Sequence, residues 1–434
     1  MNVTPAAGKR LAIRWLEAMG LALTVAALVW WAIVYAQVIS NTEFPIARTL
    51  PCLLNTSDLP GHTPLLAGTA VGGSVRLLPR ACAGQSRLEE ERSLTMPRIV
   101  PVLDLSRLSQ GASEQRTFFL DLRTAARDVG FFYLSGHGIP QAEIDEVIDA
   151  SRRFFALPEA DKLAIEMVNS SQFRGYTRAG GELTRGEADW REQLDIGVER
   201  QPIPQGPGVP AWTRLQGPNQ WPRALPELRT ALLAWQARVT SVAIRLLKAF
   251  ALSLEQAEEA FDPIYKDAPN HRMKIVRYPG RDATGGEQGV GGHKDGGFLT
   301  LLLQDDNKGL QVEYDGSWVN VDPIPGTLVV NIGELLELAS NGYLRATIHR
   351  VVTPPAGVER VSVPFFFGAR LDATIPLLNL PEELAAEARG PASDPDNPLF
   401  RDVGANVLKS RLRSHPDVTR RHYADLLQTG SARV

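Results

Sequence analysis

Hydrophobic and polar positions change their pattern twice along the chain. From Ala18 to Thr42 there is no charged residue, a run long enough to meet the roughly 20 apolar residues that span a bilayer core. Lys9, Arg10 and Arg14 precede it, and Trp30, Trp31 and Tyr35 lie toward its far end like interfacial anchors. The pattern predicts a membrane-type helix over 18–42. A secretory signal ending near Val34-Tyr35-Ala36 and a buried core helix are the alternatives. Residues 43–95 mix Pro, Gly, Thr and small residues without a sustained period and close on the charged run Arg87–Arg92, which reads as a linker.

After Met96 the pattern becomes globular. Val100–Ser106 predicts a short strand and a helix cap, Glu114–Val129 a helix, and Gly130–Ser135 a buried strand. Pro140 opens a second amphipathic helix over Gln141–Leu157, which Pro158 closes. Pro- and Gly-rich text from Pro202 to Pro222 predicts loop. Over 225–254 the residues Leu228, Leu232, Trp235, Val239, Val242, Leu246 and Phe250 recur at helical spacing, the mark of a core-facing helix. Beyond Asn270 the period shortens to two. Strands are predicted at Met273–Tyr278, Phe298–Gln304, Leu310–Tyr314, Ser317–Val321, Thr327–Ile332, Ala346–Val352 and Val361–Phe367, with Asp315-Gly316 as a tight hairpin. So many short strands at this spacing indicate an α+β chain with a β-sandwich or jelly roll. The divisions are 1–95, an N-terminal segment with the membrane-type helix; 96–200, a helical and strand region; and 201–430, the strand-rich region including the long helix.

Composition narrows the classes. At 434 residues the chain exceeds one minimal domain, and 44% hydrophobic with 22% charged residues excludes wholesale disorder. A net charge of −3 gives no global attraction to nucleic acid. Cys52 and Cys82, both in the first quarter, exclude a disulfide framework or a Cys-rich zinc site in the remainder.

Chemistry concentrates around three residues. His293 and Asp295, in Gly291-Gly-His-Lys-Asp-Gly-Gly297, stand two apart on an extended segment and so project to one side. Sandwich topology can bring His349 from a later strand against them. Two imidazoles and one carboxylate on one face leave three cis positions free, which suits a non-haem Fe(II) oxygenase. H-x-D alone does not separate such a site from a hydrogen-bonded structural pair. Further on, Arg360 and Ser362 present a guanidinium fork plus a hydroxyl to one carboxylate, and Tyr278 could add a phenol. His137 reads as a turn residue, His271 as a satisfied polar contact or a pocket group, and His415 and His422 as solvated members of a charged C-terminal helix.

Taken together, Met273-Lys-Ile-Val-Arg-Tyr-Pro279, His293-Lys-Asp295, Asn331-Ile-Gly-Glu-Leu-Leu336, His349-Arg-Val351 and Arg360-Val-Ser-Val-Pro-Phe365 resemble the iron(II)/2-oxoglutarate-dependent dioxygenases, in the isopenicillin N synthase-like branch. Gly130–Gly138 and Phe173-Arg-Gly-Tyr176 are similar to that family's N-terminal half. The resemblance runs from about Pro97 to Leu427 and is silent on residues 1–95. It implies a double-stranded β-helix flanked by helices, and Fe(II) held by His293, Asp295 and His349. It implies 2-oxoglutarate held through its far carboxylate by Arg360, Ser362 and Tyr278, and O2 as the third reactant. A small-molecule substrate and no nucleic acid are expected. The pocket lining is expected from loops over Phe173–Glu192, with Tyr176 and Glu182, and from Phe367 and Arg370.

Three other functions stay open at this stage. One is a 2-oxoglutarate-independent oxidase like isopenicillin N synthase, and another is an ethylene-forming enzyme, whose segment Gly181-Glu-Leu-Thr184 resembles, with Glu182 receiving a guanidinium. The third is a membrane-tethered binding protein. Topology adds a conflict, because positive charges before the 18–42 run orient its amino end to the cytoplasm and would place the enzyme outside, away from cytosolic 2-oxoglutarate. A periplasmic enzyme of unusual supply, a reversed orientation and a start at Met96 each resolve it; the last is favoured, because Met96-Pro-Arg-Ile-Val-Pro opens the recognisable domain directly, and it gives a cytoplasmic catalytic domain. If 1–95 are expressed, the protein is single-pass with membrane contact through 18–42 only. A chain beginning at Met96 is therefore expected to be soluble, bind Fe(II) and consume 2-oxoglutarate. Sequencing the native protein's amino terminus checks this: peptides from Leu11–Arg92 in a membrane fraction would refute the late start.

Overall fold

The computed structural model describes residues 99–392, 394 and 397–428. The run 18–42 and the linker to 95 lie outside the described residues. Among the described residues no helix is long and apolar enough to cross a membrane.

The strands are β1 (Val102–Asp104), β2 (Phe131–Ser135), β3 (Gly175–Thr177), β4 (Leu183–Thr184), β5 (Glu187–Ala188), β6 (Glu192–Gly197) and β7 (Arg272–Tyr278). They continue with β8 (Gln288–His293), β9 (Leu299–Gln304), β10 (Leu310–Tyr314), β11 (Ser317–Asn320), β12 (Leu328–Ile332), β13 (His349–Val352) and β14 (Arg360–Phe367). The helices used below are α1 (Ala112–Asp128), α2 (Gln141–Phe155), α3 (Glu159–Leu163), α4 (Glu227–Ser253), α5 (Asp262–Tyr265), α6 (Glu334–Ala339), α7 (Glu382–Glu387), α8 (Val403–Ser414) and α9 (Pro416–His422). A large sheet has the order β1-β2-β12-β9-β14-β7-β6-β3, and a smaller one runs β11-β10-β13-β8. These are the two leaves of the expected jelly roll, with α1, α2 and α4 against the larger leaf.

Strand pleating decides which side chains reach the interior. On β7, Met273 and Ile275 join α4 residues Leu232, Trp235, Val239, Leu246 and Phe250 in the helix-facing core. Val276 and Tyr278 face the other way, into a second core between the leaves with Phe131, Val290, Val312 and Val351. Each fully buried Leu, Val or Phe contributes about 1.5–3 kcal/mol, so a one-residue slip of β7 would reverse both cores at once. The Asp315-Gly316 hairpin forms as expected: both residues have positive φ, and Tyr314 pairs with Ser317 across it.

Three segments depart from the sequence reading. The stretch 173–192, expected as loop, carries β3 and the first residue of β6 into the large sheet, so the 96–200 region shares its hydrogen bonds with β7. Gln288–His293 forms β8, whose signal Gly289, Gly291 and Gly292 conceal. Residues 346–348 are not strand. Ala346 donates its amide to Glu337 and Thr347 its hydroxyl to the Val129 carbonyl, which draws this stretch out of the ladder.

Candidate active site

β8 and β13 run antiparallel, and their register sets His293 directly opposite His349. Asp295 follows β8 two residues on. Ligand atoms of the three residues lie within 4.8 Å of one another, a spacing that could hold a metal ion. His293 Nδ1 is 2.8 Å from the Gly291 carbonyl and His349 Nδ1 is 3.1 Å from the Thr347 carbonyl. Those contacts fix Nδ1 as the protonated nitrogen on each ring and turn both Nε2 atoms toward Asp295, at 3.5 and 3.7 Å. Phe131 packs edge-on against His349.

The Asp295 carboxylate is held from behind. The Thr300 hydroxyl (2.5 Å) and the Asn331 side-chain amide (2.8 Å) both donate to Oδ2. Burial would raise this carboxyl, yet His349, His293 and Thr300 hold it far below the usual carboxylate range. Burial and the neighbouring His293 push His349 down to about 4, so its imidazole is neutral at pH 7 and its Nε2 lone pair is available. Burial would lower His293, but the Asp295 carboxylate holds it above its ordinary value, so an ion binding there displaces any proton on Nε2. Two imidazoles with an ionised carboxylate are the donor set a divalent first-row ion takes.

Arg360 opens β14 opposite Tyr278 on β7. It is fully buried, with its guanidinium carbon 4.9 Å from the Tyr278 ring centroid. Nη2 donates to Gln304 at 2.7 Å, while Nε and Nη1 have no partner. A buried guanidinium with two idle donors fits an anionic ligand, because leaving it so otherwise costs free energy. Ser362 follows on the same face, buried, between Val276 and Gln304.

The expected pocket residues divide. Tyr176 pairs with Leu194 on the helix-facing side, is buried, and donates its hydroxyl to Glu192 at 2.6 Å. Phe367 lies in the same helix-facing core with Tyr265 and His271 against it. Neither lines the pocket, since both sit on the wrong parity of their strands. The pleat puts Phe366, not Phe367, on the Arg360 face. Arg370 is paired with Asp372 near the surface. His271, pushed down to about 3 by burial and by Arg200, is a core group rather than a pocket one.

Glu182 does face inward, but it is not free. It accepts from Lys274 at 2.8 Å, Arg191 at 2.7 Å and Gln193 at 2.6 Å, and His415 lies 3.3 Å away. Burial would raise its carboxyl, but Lys274, Arg191 and His415 hold it well below the usual range. A substrate guanidinium therefore has no open carboxylate here. His415, expected to be solvated, is buried where α8 breaks into α9, and half-buried His422 is 2.9 Å from the Val168 carbonyl. Replacing Glu182 with alanine leaves Lys274 and Arg191 without their principal partner. Breaking a buried pair this way costs about 3–5 kcal/mol, read by calorimetry as a lower Tm; an unchanged Tm would show that the cluster is solvated.

Comparison with known proteins agrees with this geometry. Residues 100–224 match the non-haem dioxygenase N-terminal region named for morphine synthesis, and residues 269–369 match the 2OG-Fe(II) oxygenase superfamily. The chain is 38% identical to the 2-oxoglutarate-dependent dioxygenase frbJ of Dothideomycetidae sp. (strain 11243), over 74% of this chain and 90% of that protein. It is 35% identical to the homoarginine-6-hydroxylase 2-ODD-C23.1 of Arabidopsis thaliana, over 67% of this chain and 91% of that one. A solved structure of a 2OG-Fe(II) oxygenase family protein from Caulobacter crescentus superposes with a TM-score of 0.58 at 30% identity, covering 72% of this chain and 98% of that one. The chain belongs to the 2OG-Fe(II) oxygenase superfamily and is a 2-oxoglutarate-dependent dioxygenase.

Proposed function

We propose that His293, Asp295 and His349 hold the Fe(II), that Arg360, Ser362 and Tyr278 hold the far carboxylate of 2-oxoglutarate, and that the enzyme oxidises a small molecule between the two leaves. The observation that carries the reading is Arg360: fully buried, with two donors unused, on the inner face of the leaf that also supplies Thr300 and Asn331 to Asp295. When bound, iron and 2-oxoglutarate supply the oxidising chemistry, dividing O2 between succinate and the substrate with release of CO2.

The chain's own residues do the positioning. Thr300 and Asn331 both donate to Asp295 Oδ2 and so fix the carboxylate, leaving Oδ1, 3.5 Å from His293 Nε2, open toward an ion. The Gly291 and Thr347 carbonyls lock the imidazole tautomers. Gln304 aims the Arg360 fork, and the Tyr278 ring covers it. An anaerobic Fe(II)/2-oxoglutarate titration followed by a metabolite screen read out as succinate tests the reading. Turnover without succinate would move the enzyme to the oxidase type of isopenicillin N synthase.

A further inference from the structure

The acidic side chains on the inner face near β6 already have partners. Glu182 takes Lys274 and Arg191, Asp189 takes Arg191, and Asp195 takes Arg411 at 3.0 Å. Two guanidinium groups on that face have none. Arg272, at the opposite end of β7 from Tyr278, makes no hydrogen bond or ion pair among the described residues, and its nearest marked contact is the Phe366 ring, 5.6 Å away. Arg174 is buried and equally without a hydrogen-bonded partner for its head group.

Register brings both to the metal side. Gly197, Arg272, Phe366, Thr300 and Asn331 form one row across β6, β7, β14, β9 and β12, and the last two of them bond Asp295. Residues in such a row point to one face. The Arg174 guanidinium lies where a Cβ on Gly197 would stand, so it occupies the same face as Arg272, and only glycine admits it. Burial lowers both, Arg272 to about 9 and Arg174 to about 10, with Arg411 adding repulsion to each. Both remain charged at pH 7; Asp195 attracts each and Asp295 attracts Arg272, but neither makes a hydrogen bond or ion pair to either guanidinium.

We propose that Arg272 and Arg174 together bind a carboxylate of the prime substrate, so that the enzyme acts on small carboxylic acids, with Phe366 against the substrate's apolar body. The inference rests on the reading of the site given above. A neutral substrate would leave buried Arg174 and half-buried Arg272 without a hydrogen-bonded counter-ion, whereas a carboxylate accepts from two forks at once. Arg360 serves a different anion, since Tyr278 and Arg272 stand six positions apart at the two ends of β7, about 20 Å along the strand.

The test uses the full chain loaded with Mn(II) and saturated with N-oxalylglycine, which fills the 2-oxoglutarate site. The probes are 3-phenylpropionate, its amide 3-phenylpropanamide, and phenyl phosphate, titrated by calorimetry. The acid is expected to bind about 10- to 100-fold more tightly than the amide, and Arg272→Met is expected to erase that difference. Because Arg272 has no partner, the same variant should unfold at a higher temperature than the wild type, which a structural arginine would not do. Arg174→Gln should weaken the acid in the same sense and serves if the first variant is poorly soluble. Equal binding of acid and amide, no binding of the acid at 10 mM (roughly the −3 kcal/mol floor of a useful contact), or tighter binding of phenyl phosphate would each overturn the proposal. Failure of N-oxalylglycine to bind wild type overturns the cosubstrate reading instead, and the acid–amide comparison still reads Arg272.

Discussion

Replacing His293 with alanine is expected to abolish metal binding and turnover while the chain still folds. The imidazole stands at the end of β8, half-exposed toward the pocket, and its loss removes one of three donors without opening the core. A first-row ion at about 2.0–2.2 Å from each ligand cannot recover the lost bond from His349 and Asp295 alone. The neighbours give a graded control. Thr300→Val and Asn331→Ala remove hydrogen bonds to Asp295 and leave all three donors in place, a change that typically costs about 10- to 100-fold in metal affinity. His293→Ala should fall well below both. An anaerobic Fe(II) titration, with circular dichroism to confirm the fold, orders the three variants. Full activity in His293→Ala would sink the ligand assignment, and so would an Asn331→Ala variant weaker in metal than His293→Ala.

What the residues disclosed follows how local the determining physics is. The long helix was legible because Leu228, Leu232, Trp235 and Val239 repeat at helical spacing and tertiary packing only endorses that face. His293 and Asp295 were legible as a pair because i and i+2 on extended backbone share a side. His349 was legible only as a residue that sandwich topology can bring against them, since its place opposite His293 depends on a register set by fifty-odd intervening residues. Strand parity was harder. Phe365, Phe366 and Phe367 form an unbroken aromatic run, so alternation is silent there, and only the register shows that Phe366 rather than Phe367 is on the inner face. Counting in twos from Arg360 through Ser362 and Pro364 would have reached Phe366. On β7, Arg272 and Lys274 alternate with Met273 and Ile275, which reads as a strand with one solvated face. Only the second leaf and α8, with Arg411 and His415 against Asp195 and Glu182, convert that face into an interior. Contacts between residues so distant in sequence leave no local pattern.

Replacing Arg360 with alanine is expected to raise the Kd for 2-oxoglutarate steeply and to leave metal affinity nearly unchanged. A hydrogen bond to a charged partner is worth about 1.5–3 kcal/mol, which corresponds to roughly 10- to 150-fold in Kd. Two idle donors, Nε and Nη1, are available to the ligand, and the Gln304 bond keeps the fork aimed. Arg360 touches none of the metal-facing atoms, so a metal titration provides the internal control. Arg360→Lys separates charge from shape: an ammonium keeps the attraction but not the planar fork, and should fall between wild type and alanine. The stability readout points the other way from an ordinary buried ion pair. With no carboxylate partner among the described residues, the guanidinium is stabilising only when a ligand anion is present. Adding 2-oxoglutarate should therefore raise the Tm of wild type by mass action and leave that of Arg360→Ala almost unmoved. Normal 2-oxoglutarate binding by Arg360→Ala, with a lowered Tm in its absence, would make Arg360 a packing residue of β14 and return the cosubstrate anchor to an open question between Lys274 and Arg272, the other two cations of the inner face of β7.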